Sequence, residues 1–302
     1  MSSVYDEDHV KKIILRQFPD YKIYQITMVG AGNDCDAYLV NGEYVFKFPK
    51  HQRASDNLLK EISVLVEIQD KLPIPIPKVV FKGYPSECFG MYFAGYNKID
   101  GEVLTPDLLK TLPPEHQDQV AVDLAHFLRV LHNTEINNLK NDLIIDMREK
   151  YMEEYREIKK IIVNALTANQ QQVIDNFYRD LLSNEDYFRH ESHLIHNDFS
   201  SDHILYDIRK NRICGIIDFG DVAISDPDND FMNLFEEDEE YGAEFSLKVL
   251  KYYRHKDMDL VLKKFHFKEK YWSFEKILYG REYGYGDWYE EGINEIKELK
   301  GW

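Results

Sequence analysis

Positive charge is what this sequence is short of. Its 37 lysines and arginines face 54 aspartates and glutamates, giving a formal net charge of −17. Such a balance repels polyanions. It argues against nucleic acid and anionic membranes as partners and is permissive for a polycationic ligand, while also serving plain solubility. Cysteine is scarce too: Cys35, Cys88 and Cys214 are scattered and odd in number. No disulfide framework or cysteine metal site is expected, and a reducing compartment fits. No uninterrupted apolar run approaches the ~20 residues of a membrane-spanning helix. The opening Met-Ser-Ser-Val-Tyr-Asp-Glu-Asp lacks the apolar core of a secretory signal. Coiled-coil heptads, internal repeats and low-complexity segments are missing as well. The expectation is a cytoplasmic monomer with no nucleic-acid or membrane partner.

What is present is core-forming material. The 302 residues are 44% hydrophobic and include 21 tyrosines and 17 phenylalanines. That is enough for two domains or lobes and excludes disorder as a class. The first 100 residues read as several strands with one major helix, and the rest as mostly helical. An amphipathic helix is expected at Asp8–Phe18, strands at Lys22–Val29 and Asp36–Val40, and a hairpin at Asn41-Gly42 leading into Tyr44–Pro49. Asn57–Leu72 reads as the major helix, Gly90–Ile99 as a long strand, and Pro106–Leu112 and Pro114–Asn133 as helices. Helices are also expected at Asp142–Ala168, Asn169–Asn184, Ala243–Tyr253, Met258–Phe267, Lys268–Gly280 and from about Asp287 to Leu299. His126 and His132 read as helix-surface or helix-end histidines, since no partner spacing supports a metal.

The stretch from His193 to Asp230 organises the chain. Leu194-Ile195 and Ile216-Ile217 are short apolar runs that can be buried strands, each soon followed by an acid, Asp198 and Asp218. Ile204–Tyr206 and Arg212–Gly215 read as a hairpin between them. Two strand ends would then each present a carboxylate to one cleft, an arrangement suited to metal binding or proton acceptance. Upstream, Gly30-Ala31-Gly32 lies between two strands. Glycines there let the backbone approach phosphates and offer N–H groups, although a plain hairpin turn has the same pattern. Lys47 sits in an apolar strand ahead of a helix carrying Glu61; Lys50 and Lys60 are alternative lysines, and Glu67 the alternative acid.

These residues carry a resemblance. His196-Asn197-Asp198 with His203 resembles the kinase catalytic loop, and Asp218-Phe219-Gly220 the kinase magnesium-binding triplet. His203, where protein kinases have Asn, is similar to the antibiotic kinases. The run from Gly215 to Asp230 is similar to the aminoglycoside 2''-phosphotransferases in particular, as are Gly30–Lys50, Trp272–Gly280 and Asp287–Gly292. The resemblance implies an α+β, protein-kinase-like two-lobe fold: an N-terminal antiparallel sheet with one major helix, and a larger helical C-terminal lobe. It implies a nucleotide-binding lobe at 1–96, a hinge at 97–101 and a C-terminal lobe at 102–302. The last would divide into a catalytic core (about 102–136 and 193–256) and a helical substrate-binding subdomain (about 137–192 and 257–302).

It further implies phosphoryl transfer from ATP or GTP, with Mg2+, to the 2''-hydroxyl of a cationic gentamicin- or kanamycin-type aminoglycoside, and hence antibiotic resistance. Asp198 would accept or orient the hydroxyl proton. Gly30, Gly32, Lys47 and Glu61 would hold the triphosphate. Backbone groups of Asn97 and Ile99 would meet the base, in front of Tyr96. Asp218 and His203 would ligate magnesium. Asp198, Ser200, Asp221, Glu236, Glu239, Glu240, Trp272 and Trp288 would receive the substrate. From the residues alone, Asp226 or Asp228 could cap a following helix, whereas Glu236, Glu239 and Glu240 would share one helical face at its unfavourable end. That acid cluster reads equally as a solvated loop and as a cation site. Competing functions are another small-molecule kinase of the same fold (choline, homoserine or sugar), a metal-dependent phosphohydrolase on Asp198, Asp218, Asp226 and Asp228, and an inactive kinase-like protein. Retention of Lys47, Glu61, Asp198 and Asp218 together speaks against the last.

Overall fold

The computed structural model describes residues 5–87, 89–136, 140–237 and 240–299. The N-terminal part is a five-stranded antiparallel sheet in the order β1-β2-β3-β5-β4. Its strands are β1 (Ile26–Ala31), β2 (Cys35–Val40), β3 (Tyr44–Pro49), β4 (Val79–Gly83) and β5 (Phe93–Asn97). Helix α1 (Glu7–Gln17) precedes it and α2 (Gln52–Ile68) follows β3. Asn41 and Gly42 both have positive φ (56° and 72°) at the centre of the turn that Glu43 N–H closes on the Val40 carbonyl, and asparagine and glycine bear that conformation at least cost. Alternation then sorts β3. Phe46 and Phe48 enter a core cluster with Tyr38, Val40, Phe93 and α1, while Lys47 falls on the other face.

After the short β6 (Glu102–Val103) come α3 (Pro106–Thr111), α4 (Pro114–His132), α5 (Lys140–Leu143), α6 (Met147–Ile162) and α7 (Ala168–Leu182). Two small sheets follow. β7 (His193–Ile195) pairs antiparallel with β10 (Ala223–Ser225); β8 (Ile204–Asp207) pairs with β9 (Arg212–Ile216) and with β6. Last come α8 (Asn229–Met232), α9 (Gly242–Tyr253), α10 (Met258–Tyr283) and α11 (Gly286–Lys297). One apolar cluster runs from α2 through α4 to the small sheets and α9; a second joins α6 and α7 to α10 and α11. This is the two-lobe α+β, kinase-like architecture.

Several elements differ from the sequence reading. Met258–Phe267 and Lys268–Gly280 form one 26-residue helix, because neither glycine nor proline stands at their junction. The strand expected over Gly90–Ile99 is confined to Phe93–Asn97. The helices expected at Asp142–Ala168 and Asn169–Asn184 are shorter. Thr167 opens the second with a reciprocal capping box on Gln170, which fixes the break between them. Helices α10 and α11 approach through glycine. A Cβ on Gly280 would lie 2.6 Å from the Tyr289 nitrogen, and one on Gly292 2.6 Å from the Ser273 carbonyl oxygen. Among the described residues no helix is long and apolar enough to cross a membrane.

Candidate active site

The site forms where the cleft face of β3, the inner face of α2 and the loops after β7 and β9 converge. Lys47 Nζ donates to both Glu61 oxygens, at 3.0 and 3.2 Å, and to Asp218 Oδ1 at 2.9 Å. This settles the lysine alternatives: Lys50 instead meets Asp36 and the Gly32 carbonyl. Glu61, only 2% exposed, is the acid against Lys47, a full helical turn and a half before Glu67. Burial works against the Lys47 charge, yet Asp218 and Glu61 outweigh it and hold its pKa well above the usual lysine value. The same lysine pulls the Asp218 carboxyl far below the usual range. Tyr96 lies buried behind the pair, its ring centroid 5.9 Å from Lys47 Nζ.

The loop carrying Asp198 is fixed by Asp230, an acid to which the sequence assigns no role. Asp230 is fully buried and accepts from the backbone N–H groups of His196 (2.8 Å) and Asn197 (2.7 Å). His132 Nε2 donates to the same carboxylate at 3.0 Å, and its Nδ1 meets the Tyr253 hydroxyl at 2.9 Å. His132 is therefore a core residue and not a helix-surface one. Asn197 and Asp218 both adopt left-handed φ, 67° and 62°. Such strain at non-glycine residues persists only where surroundings over-determine it, as Asp230 and Lys47 do here. His196 ties the two loops together: its Nε2 donates to the Ile217 carbonyl at 3.0 Å, its ring lies 4.6 Å from that of Phe219, and burial lowers its pKa.

His203 Nδ1 lies 2.8 Å from the Asp198 carbonyl oxygen and 3.2 Å from Ser200 Oγ. A carbonyl only accepts, so Nδ1 carries a proton, and Nε2 lies 3.9 Å from Asp218 Oδ2. Asp218 thus spends one oxygen on Lys47 and turns the other toward His203. No group of three or more His, Cys, Asp and Glu side chains gathers for a metal among the described residues. Two protein donors still suit magnesium, which is usually held by one or two carboxylates with water and substrate phosphates completing the shell. His203 is a softer partner than oxygen for that ion.

After β5, Asn97 N–H donates to the Lys78 carbonyl at 3.1 Å, which leaves its carbonyl as the backbone group that could meet a base. Ile99 packs on Gly215 of β9, where a Cβ would come within 2.7 Å of it, so the segment after β5 rests on the strand that delivers Asp218.

The acid-rich segment departs most from expectation. Helix α8 ends at Met232 and a 3-10 turn covers Asn233–Phe235, so Glu236 and Glu240 do not share a helical face; Glu239 lies outside the described residues. Glu236 is exposed. Glu240 is buried and its Oε2 accepts from the Ser201 N–H at 2.8 Å, inside the loop that follows Asp198. Burial, with the charges of Asp202 and Glu236 adding, pushes its carboxyl up to about 7. Glu237 Oε1 accepts from Ala243 N–H at 2.9 Å in the first turn of α9. Nor does Asp226 or Asp228 cap α8. Both bind buried Lys264 of α10, at 2.5 and 2.6 Å, and Asp228 also holds His255 at 2.8 Å. Lys264 carried no signal of its own: one lysine in a charged helix reads as solvated.

Asp221 is accessible to solvent within the cleft. Even so, desolvation there, then the charges of Asp198, Asp218 and Asp34, push its carboxyl up to about 6. Trp272 and Trp288 are 39% and 40% exposed rather than in the core, with ring centroids 5.8 Å apart at 69°. The glycine contacts of α10 with α11 bring them together. Tyr279 lies two turns beyond Trp272 on the same face of α10. Its phenol pKa is raised by burial first, then by the charges of Glu275 and Asp221. The end of α10 also reaches the glycine loop, where Tyr283 donates to Asp34 Oδ1 at 3.2 Å and Tyr285 to Asn33.

Comparison with known proteins gives concordant results. A model of the phosphotransferase enzyme family matches residues 25–262. The gentamicin complex of APH(2'')-IIa superposes with a TM-score of 0.89 at 29% identity, covering 99% of this chain and 98% of that one. An APH(2'') enzyme solved with GDP and kanamycin gives 0.85 at 31% identity, over 96% and 97% of the two chains. A ternary complex of APH(2'')-IIa with streptomycin and ATP gives 0.85 at 29%, over 98% of each.

Proposed function

The chain belongs to the phosphotransferase enzyme family and is an aminoglycoside-phosphotransferase-type enzyme, and from that premise we propose that it phosphorylates the 2''-hydroxyl of gentamicin- and kanamycin-type aminoglycosides. The observation that carries the chemistry is the Lys47 ammonium held between Glu61 and Asp218. The observation that carries the acceptor class is the exposed Trp272–Trp288 pair where α10 meets α11. Relatives 29–31% identical over nearly the whole chain are complexes with gentamicin or kanamycin, which favours the same acceptors here.

In this reading Lys47 neutralises the phosphates and the Gly30–Gly32 loop covers them. Asp198 orients the acceptor hydroxyl and receives its proton as the new oxygen–phosphorus bond forms. The bond between the γ-phosphorus and the bridging oxygen breaks, and the nucleoside diphosphate leaves with that electron pair. Asp218 and the His203 Nε2 would hold Mg2+, which supplies charge neutralisation on the phosphate oxygens. The base would meet the Asn97 carbonyl and the Ile99 N–H in front of Tyr96. Asp221, Ser200 and the acids around Glu236 would take the acceptor's ammonium and hydroxyl groups, while the tryptophan faces take its sugar rings. Glu240, committed to Ser201, would contribute through the shape of the loop. A lobe division at 97–101, where the sheet gives way to mostly helical chain, and a monomeric, cytoplasmic enzyme complete the proposal.

The test is a coupled assay with magnesium, ATP and GTP side by side, with and without kanamycin, followed by NMR localisation of the phosphate on the product. Acceptor-dependent turnover with phosphate on the 2''-oxygen supports the proposal. Turnover with a phosphate elsewhere, or only with a different small alcohol, replaces its acceptor.

A further inference from the structure

The glycine loop is held from behind by a lysine that the site chemistry does not use. Lys50 follows β3, and its side chain is mostly buried. Its backbone N–H donates to the Asp34 carbonyl at 2.8 Å, and its Nζ donates to the Gly32 carbonyl at 2.7 Å. The ammonium lies 3.0 Å from an oxygen of Asp36, whose side chain is 0% exposed. Asp36 shares its strand face with Tyr38 and Val40, the face that meets the N-terminal core. The loop is closed on itself by a bond from Gly32 N–H to the Cys35 carbonyl at 2.9 Å.

Peptide geometry gives this latch a consequence. In a planar trans peptide the C=O of one residue and the N–H of the next point in opposite directions. Drawing the Gly32 carbonyl onto Lys50, on the core side, turns the Asn33 N–H to the opposite side of the loop. It also removes from the cleft side a carbonyl oxygen that would repel phosphate. The Tyr283 and Tyr285 hydroxyls reach the same loop from the end of α10 and its link to α11, but they hold the side chains of Asp34 and Asn33 and leave the peptide plane to Lys50. A buried carboxylate on the core side keeps the ammonium in place, since Lys50 would otherwise swing into the cleft toward the same anionic ligand as Lys47.

We propose that Lys50, anchored by Asp36, is a positioning residue that fixes the Gly32–Asn33 peptide so that the loop presents donors, and no acceptor, to the triphosphate. The proposal rests on the phosphate-covering role assigned to the loop above. The predicted signature is selective for phosphate: weaker nucleoside triphosphate binding with unchanged binding of the parent nucleoside.

Full-length Lys50→Met is compared with wild type by calorimetric titration with ATP, GTP, adenosine and guanosine, and by the KM for each triphosphate. Because Lys50→Met leaves Asp36 buried without its cation, the double variant Asp36→Asn/Lys50→Met is measured beside it. Removing the charge with its partner spares the fold that penalty. Both variants should raise the triphosphate Kd and KM about tenfold, the loss of one charge-assisted hydrogen bond, and leave nucleoside Kd alone. Equal loss of nucleoside and triphosphate, or unchanged triphosphate binding in the double variant, overturns the proposal. Lys47→Ala in the same series separates the two readings. If it weakens triphosphate selectively and the Lys50 variants do not, only the latch falls. If neither does, the nucleotide site itself is misplaced.

Discussion

Lys47 and Asp218 lie 171 positions apart in the chain and 2.9 Å apart in the fold. One lysine thereby joins the N-terminal sheet, helix α2 through Glu61, and the loop that leaves β9. The pair divides the Asp218 carboxylate, one oxygen on Lys47 and the other toward His203. Charge neutralisation from the N-terminal lobe and metal ligation from the C-terminal lobe would thus act on the same phosphates.

Lys47→Ala removes that cation and leaves Glu61 buried beside Asp218. Turnover should fall on the order of 100-fold or more, the usual cost of deleting one group that meets developing charge. Steady-state kcat with saturating acceptor checks it; near-normal kcat would remove Lys47 from the site.

Asp198→Ala should reduce kcat by about 1,000-fold, within the range for a residue that receives a proton. Nucleotide and kanamycin affinities measured by calorimetry should stay near wild type. The loop itself is held by Asp230 on the His196 and Asn197 amides, which the substitution leaves intact. Retained turnover would end the proton-acceptor role.

Asp221 gives a pH dependence with a defined sign. With its carboxyl raised to about 6, it carries charge above that pH and loses it below. Aminoglycoside ammonium groups stay protonated on the acidic side. The KM for kanamycin should therefore rise as pH falls through 6, and Asp221→Asn should show a high KM with little dependence there. A wild-type KM flat from pH 5 to 8 would contradict the assignment.

Glu240 gives a stability dependence. Its carboxyl sits at about 7 in the folded protein against an ordinary 4.5. A raised folded pKa contributes stability that is full below 4.5 and lost as pH rises through 7. Glu240→Gln keeps an acceptor for the Ser201 N–H without the buried charge. Its melting temperature should match wild type at pH 4.5 and exceed it by several degrees at pH 8. Scanning calorimetry at the two pH values decides it; a lower melting temperature for the variant at pH 8 refutes the linkage.

Lys264→Met isolates the buried ion cluster. The substitution strands Asp226 and Asp228, each held within 2.6 Å of the ammonium, and leaves the His255 ring as the partner of Asp228. Removing one member of a buried set costs about 3–5 kcal/mol. Urea unfolding should show a loss of that size, and a change under about 1 kcal/mol would mark the cluster as solvated.

The sequence by itself determined the local chemistry. The Asn41-Gly42 turn is set by positive φ, the burial of Phe46 and Phe48 against Lys47 by alternation, and the break between α6 and α7 by the Thr167 capping box. The carboxylates at Asp198 and Asp218 follow from short apolar strands that end just before them. What only the tertiary structure decided are pairings between distant residues whose own neighbours give no hint. Lys47 chooses Glu61 rather than Glu67 because of how α2 lies on β3. Asp226 and Asp228 turn from a helix cap to Lys264, because a helix nearly 40 positions later passes over them. Glu236, Glu239 and Glu240 read as one helical face, but α8 stops at Met232, which leaves Glu236 in solvent and Glu240 beneath the Asp198 loop. Propensity and periodicity act over a turn or two of chain, whereas burial of charge is settled by whichever counter-charge the packed lobes bring within reach.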